Sequence, residues 1–130
     1  MALLEANRLT AFYGDFQALY GIDLELNEGE TVAIIGANGA GKSTFLKTVA
    51  GMLPAAPESV TFDGRPIGGF PVAEIVRLGV SLVPEGRRLF PSLSVEENLK
   101  IGAYGRRAAG YWSLERIYDL FPAIAERRAV

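Results

Sequence analysis

The segment Gly36-Ala37-Asn38-Gly39-Ala40-Gly41-Lys42-Ser43-Thr44 constrains this chain more than any other. It satisfies the pattern G-x-x-x-x-G-K-S/T, which a chain of this length and average composition would show by chance about once in a few hundred. Its flanks fit a phosphate-binding turn. Before it runs Thr31-Val32-Ala33-Ile34-Ile35, a continuous apolar stretch that predicts a strand buried on both faces. After it, Phe45, Leu46, Val49 and Ala50 mark one side of a helix that Gly51 can terminate.

The residue types explain the chemistry. A nucleoside triphosphate carries several negative charges on a flexible chain, and binding it means replacing strong hydration with fixed donors. Gly36, Gly39 and Gly41 permit unusual backbone angles and close approach, so that successive N–H groups can turn inward as a nest. The start of the following helix adds roughly half a positive charge from its aligned peptide dipoles. Lys42 supplies a full charge for the β and γ phosphates. Ser43 offers a hydroxyl to Mg2+, a hard ion that prefers oxygen. The alternative is a Gly-rich turn with Lys42 in solvent.

Composition narrows the rest. Of 130 residues 49% are hydrophobic, enough for one core and not for two. With no cysteine and no histidine, disulfides, thiolate or imidazole metal sites, Cys nucleophiles and imidazole bases are all excluded. The longest run without charge, residues 31–41, is 11 residues, far below the ~20 needed to span a bilayer as a helix. The N-terminus has no secretory pattern, so a soluble, cytoplasmic protein is expected. Residues 1–83 carry 5 basic and 9 acidic groups, −4, and residues 84–130 carry 8 and 6, +2. The second excess comes largely from three pairs, Arg87-Arg88, Arg106-Arg107 and Arg127-Arg128. These read as solvated faces or as contacts with an acidic or phosphorylated partner. A net charge of −2, without interleaved basic and aromatic residues, speaks against nucleic acid.

Along the chain, Ala18, Tyr20, Ile22, Leu24 and Leu26 alternate with polar residues or glycine and predict a half-buried strand with those five on one face. Residues 59–62 predict a strand closed by the Asp63-Gly64 turn. Pro71 suits a first helical position, and Val72, Ile75 and Val76 form a stripe that Gly79 ends. Residues 80–83 predict another strand. Ser94-Val95-Glu96-Glu97 has capping-box spacing, with Val95, Leu99 and Ala103 on one face of the helix behind it. Leu114, Ile117, Tyr118 and Phe121 predict a last helix cut by Pro122.

The string G-A-N-G-A-G-K-S-T resembles the Walker A motif of ATP-binding cassette (ABC) ATPases. The likeness extends upstream through Leu9-Thr10-Ala11-Phe12-Tyr13-Gly14, where Tyr13 matches the aromatic that stacks on adenine in that family; read alone, Tyr13 is equally a core residue. Downstream, Ser81-Leu82-Val83-Pro84-Glu85-Gly86-Arg87-Arg88-Leu89-Phe90-Pro91 and Leu93-Ser94-Val95-Glu96-Glu97-Asn98-Leu99 are similar to the shorter ATPase subunit of branched-chain amino acid importers. Glu85 stands where the family has its Q-loop glutamine, which touches Mg2+ and helps place the attacking water. The departure adds a negative charge near the γ phosphate, and an exposed loop carboxylate is the other reading.

The resemblance implies an α/β, P-loop NTPase fold of ABC type: a mixed sheet with an antiparallel β segment and the start of a helical subdomain, incomplete. It divides the chain into an antiparallel segment (1–30), a P-loop core reaching the Q-loop (31–93) and the start of the helical subdomain (94–130). It implies ATP and Mg2+ as ligands. It implies a site built from Tyr13, Gly36, Asn38, Gly39, Ala40, Gly41, Lys42, Ser43, Thr44 and Glu85, with Ser43 and Glu85 at the metal. It implies a second ATPase subunit in a head-to-tail dimer, and membrane permease subunits docking on the stretch bounded by Gly86 and Asn98, through Arg87, Arg88, Phe90 and Leu93. That stretch also reads as a solvated loop. The location implied is the inner face of the cell membrane, the task import of a small solute.

The family's signature motif, its second acidic strand with the catalytic glutamate, and its switch histidine do not occur in these 130 residues. The chain alone is therefore expected to hydrolyse ATP negligibly, because phosphoryl transfer needs all these parts. Residues 31–35 and 80–83 are expected to expose a sheet edge unless further strands join them. The alternatives are another P-loop kinase or GTPase, against which no guanine-recognition motif appears, and a non-catalytic docking module.

Overall fold

The computed structural model describes residues 2–130 except 38, 40, 87 and 104–109. It comprises two compact units, Met1–Leu82 and Val83–Val130.

The first unit is built on a four-stranded sheet of order β2-β1-β3-β4, with β1 Leu4–Tyr13, β2 Phe16–Leu26, β3 Val60–Phe62 and β4 Arg65–Pro66. All three ladders are antiparallel. The hairpin β3–β4 turns on Asp63 and Gly64, both at positive φ (51° and 77°), the two-residue geometry that Asp-Gly favours. Helix α1, Lys42–Val49, packs Phe45 and Val49 against Ala6, Leu9, Ala11 and Leu19 of the sheet, with Val60 and Ile67 completing the core. Gly51 ends α1 as expected. It takes φ 88°, its N–H donates to the Thr48 carbonyl, and the Met52 N–H donates to that of Lys47, which together satisfy two terminal carbonyls. Helix α2, Val72–Leu78, buries Ile75 and stops at Gly79, φ 109°; Pro71 stands one place before its first residue.

Two expectations are corrected here. The alternation predicted for β2 holds only for part of the strand. Leu24 and Leu26 are half-buried, but Tyr20 is 74% exposed and Leu19 takes the core place. The register explains this: Leu9 pairs with Ile22 and Thr10 with Tyr20, so Gly21 is an extra residue, and one extra residue flips every side chain beyond it to the other face. A matching extra residue in β1 lies between Ala6 and Leu9. There Arg8 takes φ 45° and its N–H donates to Asp23 Oδ1 at 2.7 Å.

The second correction concerns residues 31–35 and 80–83, which form no strand. Val32 and Ile34 are exposed, and Ile35 and Val83 are 92% and 93% exposed, so neither run is buried on two faces. β-branched composition favours an extended chain, but a strand exists only where a neighbour accepts its N–H and C=O groups. Among the described residues, none pairs with these runs.

The second unit holds α3 Val95–Ile101, α4 Leu114–Leu120 and α5 Pro122–Glu126. Ser94 caps α3 with a complete capping box. Its Oγ accepts from the Glu97 N–H at 3.2 Å, and Glu97 Oε1 accepts from the Ser94 N–H at 2.9 Å. Ser113 Oγ caps α4 in the same way, accepting from the Arg116 N–H. Pro122 ends α4, as expected, and also opens α5, where its missing N–H is harmless.

Candidate functional site

The loop before α1 is shaped by its glycines. Gly39 and Gly41 take φ 84° and 97°, a region that side-chain-bearing residues avoid. Gly41 is also the N-cap of α1, and a Cβ there would come within 2.9 Å of Leu19 Cδ2. Backbone conformation and close packing on β2 thus both demand glycine at this place. The N-cap Gly41 has no side chain to cap α1, and no acidic residue stands in the first turn to offset the helix dipole. The Phe45 N–H donates to the Gly41 carbonyl at 2.8 Å. Lys42 is partly buried, and its Nζ donates to the Gly36 carbonyl, folding the ammonium back across the loop. Ser43 is exposed and follows it. Asn38 and Ala40, both assigned to the site from sequence, lie outside the described residues.

Tyr13 ends β1 beside the two-residue turn of Gly14 and Asp15. Its side chain is 45% exposed and outside the core cluster, so the reading of Tyr13 as a core residue is set aside. Its hydroxyl lies 3.0 Å from Thr44 Oγ1. Thr44 is 8% exposed, and its carbonyl accepts from Thr48 Oγ1 at 2.7 Å. Leu19, Ile22, Leu24, Ile34, Ile35 and Phe45 line an adjoining apolar groove of about 130 Å³, with Gly41 and Lys42 also in its wall. The first unit therefore gathers Tyr13, Gly36, Gly41, Lys42 and Thr44 in one place. Sequence reasoning missed the bond between Tyr13 and Thr44 and the packing of Leu19 on Gly41; neither leaves a local signal.

Glu85 belongs to the second unit, in an exposed turn with Gly86 at φ 76°. Arg88, φ 44°, donates from Nε to the Glu85 carbonyl at 3.2 Å. Leu89 and Phe90 are exposed beyond it. The side chain of Asn98 holds this loop: its Oδ1 accepts from the Phe90 N–H at 2.9 Å, and its Nδ2 donates to the carbonyls of Phe90, Leu93 and Ser94 at 3.2, 3.4 and 2.9 Å. An asparagine one turn inside a helix is intrinsically unfavourable, and that is the signal that could have marked it. Of the arginine pairs, Arg87, Arg106 and Arg107 lie outside the described residues. Arg128 is held locally, over the Tyr118 ring and donating to the Ala125 carbonyl.

Among the described residues of this unit, two ionisable groups depart from their ordinary behaviour. The Ser94 N–H and then the Ser94 hydroxyl hold the Glu97 carboxyl below its usual pKa. Desolvation, then the hydrogen bond to Glu96 at 3.0 Å, raise that of Tyr118. Among the described residues, no three Asp or Glu side chains cluster to hold a metal. Mg2+ accompanying a phosphate chain takes most of its oxygens from phosphate and water, and the hydroxyl of the exposed Ser43 is an oxygen of the kind that ion accepts. Among the described residues, no helix is long and apolar enough to cross a membrane.

Comparison with known proteins places these features. Residues 19–129 match the ABC transporter family. The chain is 40% identical over 126 residues to the high-affinity branched-chain amino acid transport ATP-binding protein BraG of Pseudomonas aeruginosa, covering 96% of this chain and 54% of that protein. A solved ATP-binding subunit of an ABC transporter superposes with a TM-score of 0.76 at 28% identity, covering 98% of this chain and 53% of the other. A dimeric ATP-binding cassette in a post-hydrolysis state, bound to ADP and phosphate, superposes with a TM-score of 0.69 at 26% identity, covering 87% and 51%. The chain spans about half the length of these relatives.

Proposed function

This chain belongs to the ABC transporter family, and from that membership we propose that it supplies the ATP-binding half of a transporter's motor subunit. The observation that carries the reading is the glycine-shaped loop opening onto the glycine-capped start of α1, with Lys42 lying across it. Lys42 would exchange the Gly36 carbonyl for the β and γ phosphates. The N–H groups of residues 36–44, Asn38 and Ala40 included, would cradle the same chain. Ser43 would hold Mg2+, which supplies neutralising charge to the phosphates. The half-exposed ring of Tyr13 would stack on adenine, a contact of about 1–3 kcal/mol by analogy with other aromatic platforms. Membership of the family sets aside the kinase and GTPase alternatives.

The rest of the proposal leans on the relatives. Glu85 would approach Mg2+ and the attacking water from the Q-loop position. The loop from Gly86 to Asn98, with Phe90 exposed, would meet a permease subunit at the inner face of the cell membrane. A second ATPase subunit would complete the site head to tail, and the name of the relative from Pseudomonas supports branched-chain amino acids as cargo.

The experiment is equilibrium binding of Mg·ATP to the full-length protein. Lys42→Ala is expected to lower affinity about 10- to 100-fold, the range of hydrogen bonds to charged groups, with an unchanged circular dichroism spectrum. Wild-type affinity in that variant would refute the phosphate-loop assignment. Glu85→Gln is expected to alter the Mg2+ dependence of turnover; an unaltered profile removes Glu85 from the site.

A further inference from the structure

The hydroxyl–hydroxyl contact between Tyr13 and Thr44 joins residues 31 apart in sequence and lies between the two halves of the proposed nucleotide site. Tyr13 stands at the tip of the β1–β2 hairpin, where the register slips between Ala11 and Phe12. Beyond that slip its partner across the turn is Phe16. Thr44, by contrast, belongs to a helix. It is buried in the first turn of α1, and its carbonyl is tied to Thr48. A buried hydroxyl needs a partner, and the Tyr13 hydroxyl stands within hydrogen-bond distance of it. The bond thus ties the end of β1 to the first turn of α1.

We propose that the Tyr13–Thr44 hydrogen bond is a positioning contact that sets the aromatic base platform at a fixed place relative to the phosphate socket, so that base and triphosphate are recognised as one rigid unit. The inference rests on the nucleotide reading above and goes beyond stacking: the phenolic oxygen, and not only the ring, contributes to the preference for a nucleotide over a bare phosphate chain. Pre-organising two subsites in this way lessens the ordering that binding must otherwise impose.

The test compares Mg·ATP with Mg·tripolyphosphate, which has the phosphates and no base, on the full-length protein. The readout is the ratio of their affinities. Tyr13→Phe keeps the ring and loses the oxygen, and the ratio is expected to fall about three- to tenfold, the range of one neutral hydrogen bond. Thr44→Val is expected to lower the same ratio to a similar degree. The double variant is expected to lower it no further, since both changes remove the same bond. Thr44→Ser retains a hydroxyl and is expected to restore the ratio. A stability effect alone would not move the ratio. If the wild-type protein binds both ligands and Tyr13→Phe leaves the ratio unchanged, the positioning role is overturned while the phosphate loop stands. Equal losses for both ligands overturn it as well. Failure of the wild-type protein to bind either ligand overturns the nucleotide reading itself.

Discussion

The connection that leads into α1 and the one that leads into α3 both contain glycine, yet they are shaped in opposite ways. The first is shaped by the backbone. Gly39 and Gly41 hold left-handed angles, and the N-cap of α1 is Gly41, which has no side chain to occupy the helix start. The second is shaped by side chains. Ser94 and Glu97 satisfy the start of α3, and Asn98 reaches back to Phe90, Leu93 and Ser94. A helix start with glycine at its N-cap is suited to an anion; one capped from within is suited to displaying the loop before it, where Leu89 and Phe90 face outward.

The largest way to break this contrast is Gly41→Ala. A methyl group there meets both a left-handed φ and Leu19 at 2.9 Å, so a loss of about 2–4 kcal/mol is expected, measured by chemical denaturation of the full-length protein. Unchanged stability would mean that the glycine is not required by the backbone. Asn98→Ala comes next. It releases three carbonyls and one N–H of the loop, at a cost of about 1–3 kcal/mol, and should speed amide exchange at Phe90 while leaving the phosphate loop unaffected. Equal exchange at Phe90 in variant and wild type would deny the clamp. Ser94→Ala removes one side of the capping box and is expected to cost about 1 kcal/mol.

The smallest effect is a pH dependence. The folded protein holds the Glu97 carboxyl below its ordinary pKa. Its stabilising contribution is therefore present above the unfolded pKa and is lost as pH falls through the lower, folded one. The acid limb of a denaturation series should flatten slightly in Glu97→Gln, and an identical limb would show that the box acts without its charge.

Much of the molecule was legible residue by residue. Asp63-Gly64 named its own turn, Ser94-Val95-Glu96-Glu97 its own cap, and Gly51 and Gly79 their helix ends, because each depends on contacts within four or five residues. Where pairing mattered, local reading failed. Tyr20 looked like a core residue until the extra Gly21 turned it outward. Residues 31–35 have the composition of a buried strand but no partner among the described residues. Within the candidate site, the glycines and Lys42 could be found from their spacing, whereas Leu19 behind Gly41 and the hold of Asn98 on Phe90 could not.

By itself, the order of residues determined that a glycine-lined bend leads into a helix led by Lys42; this follows from allowed backbone angles, which each residue carries with it. Only the tertiary structure decided that Tyr13 meets Thr44, that Leu19 and not Tyr20 faces α1, and which apolar runs become strands. Those outcomes depend on which distant groups are brought together, and a pairwise contact is a property of neither partner alone.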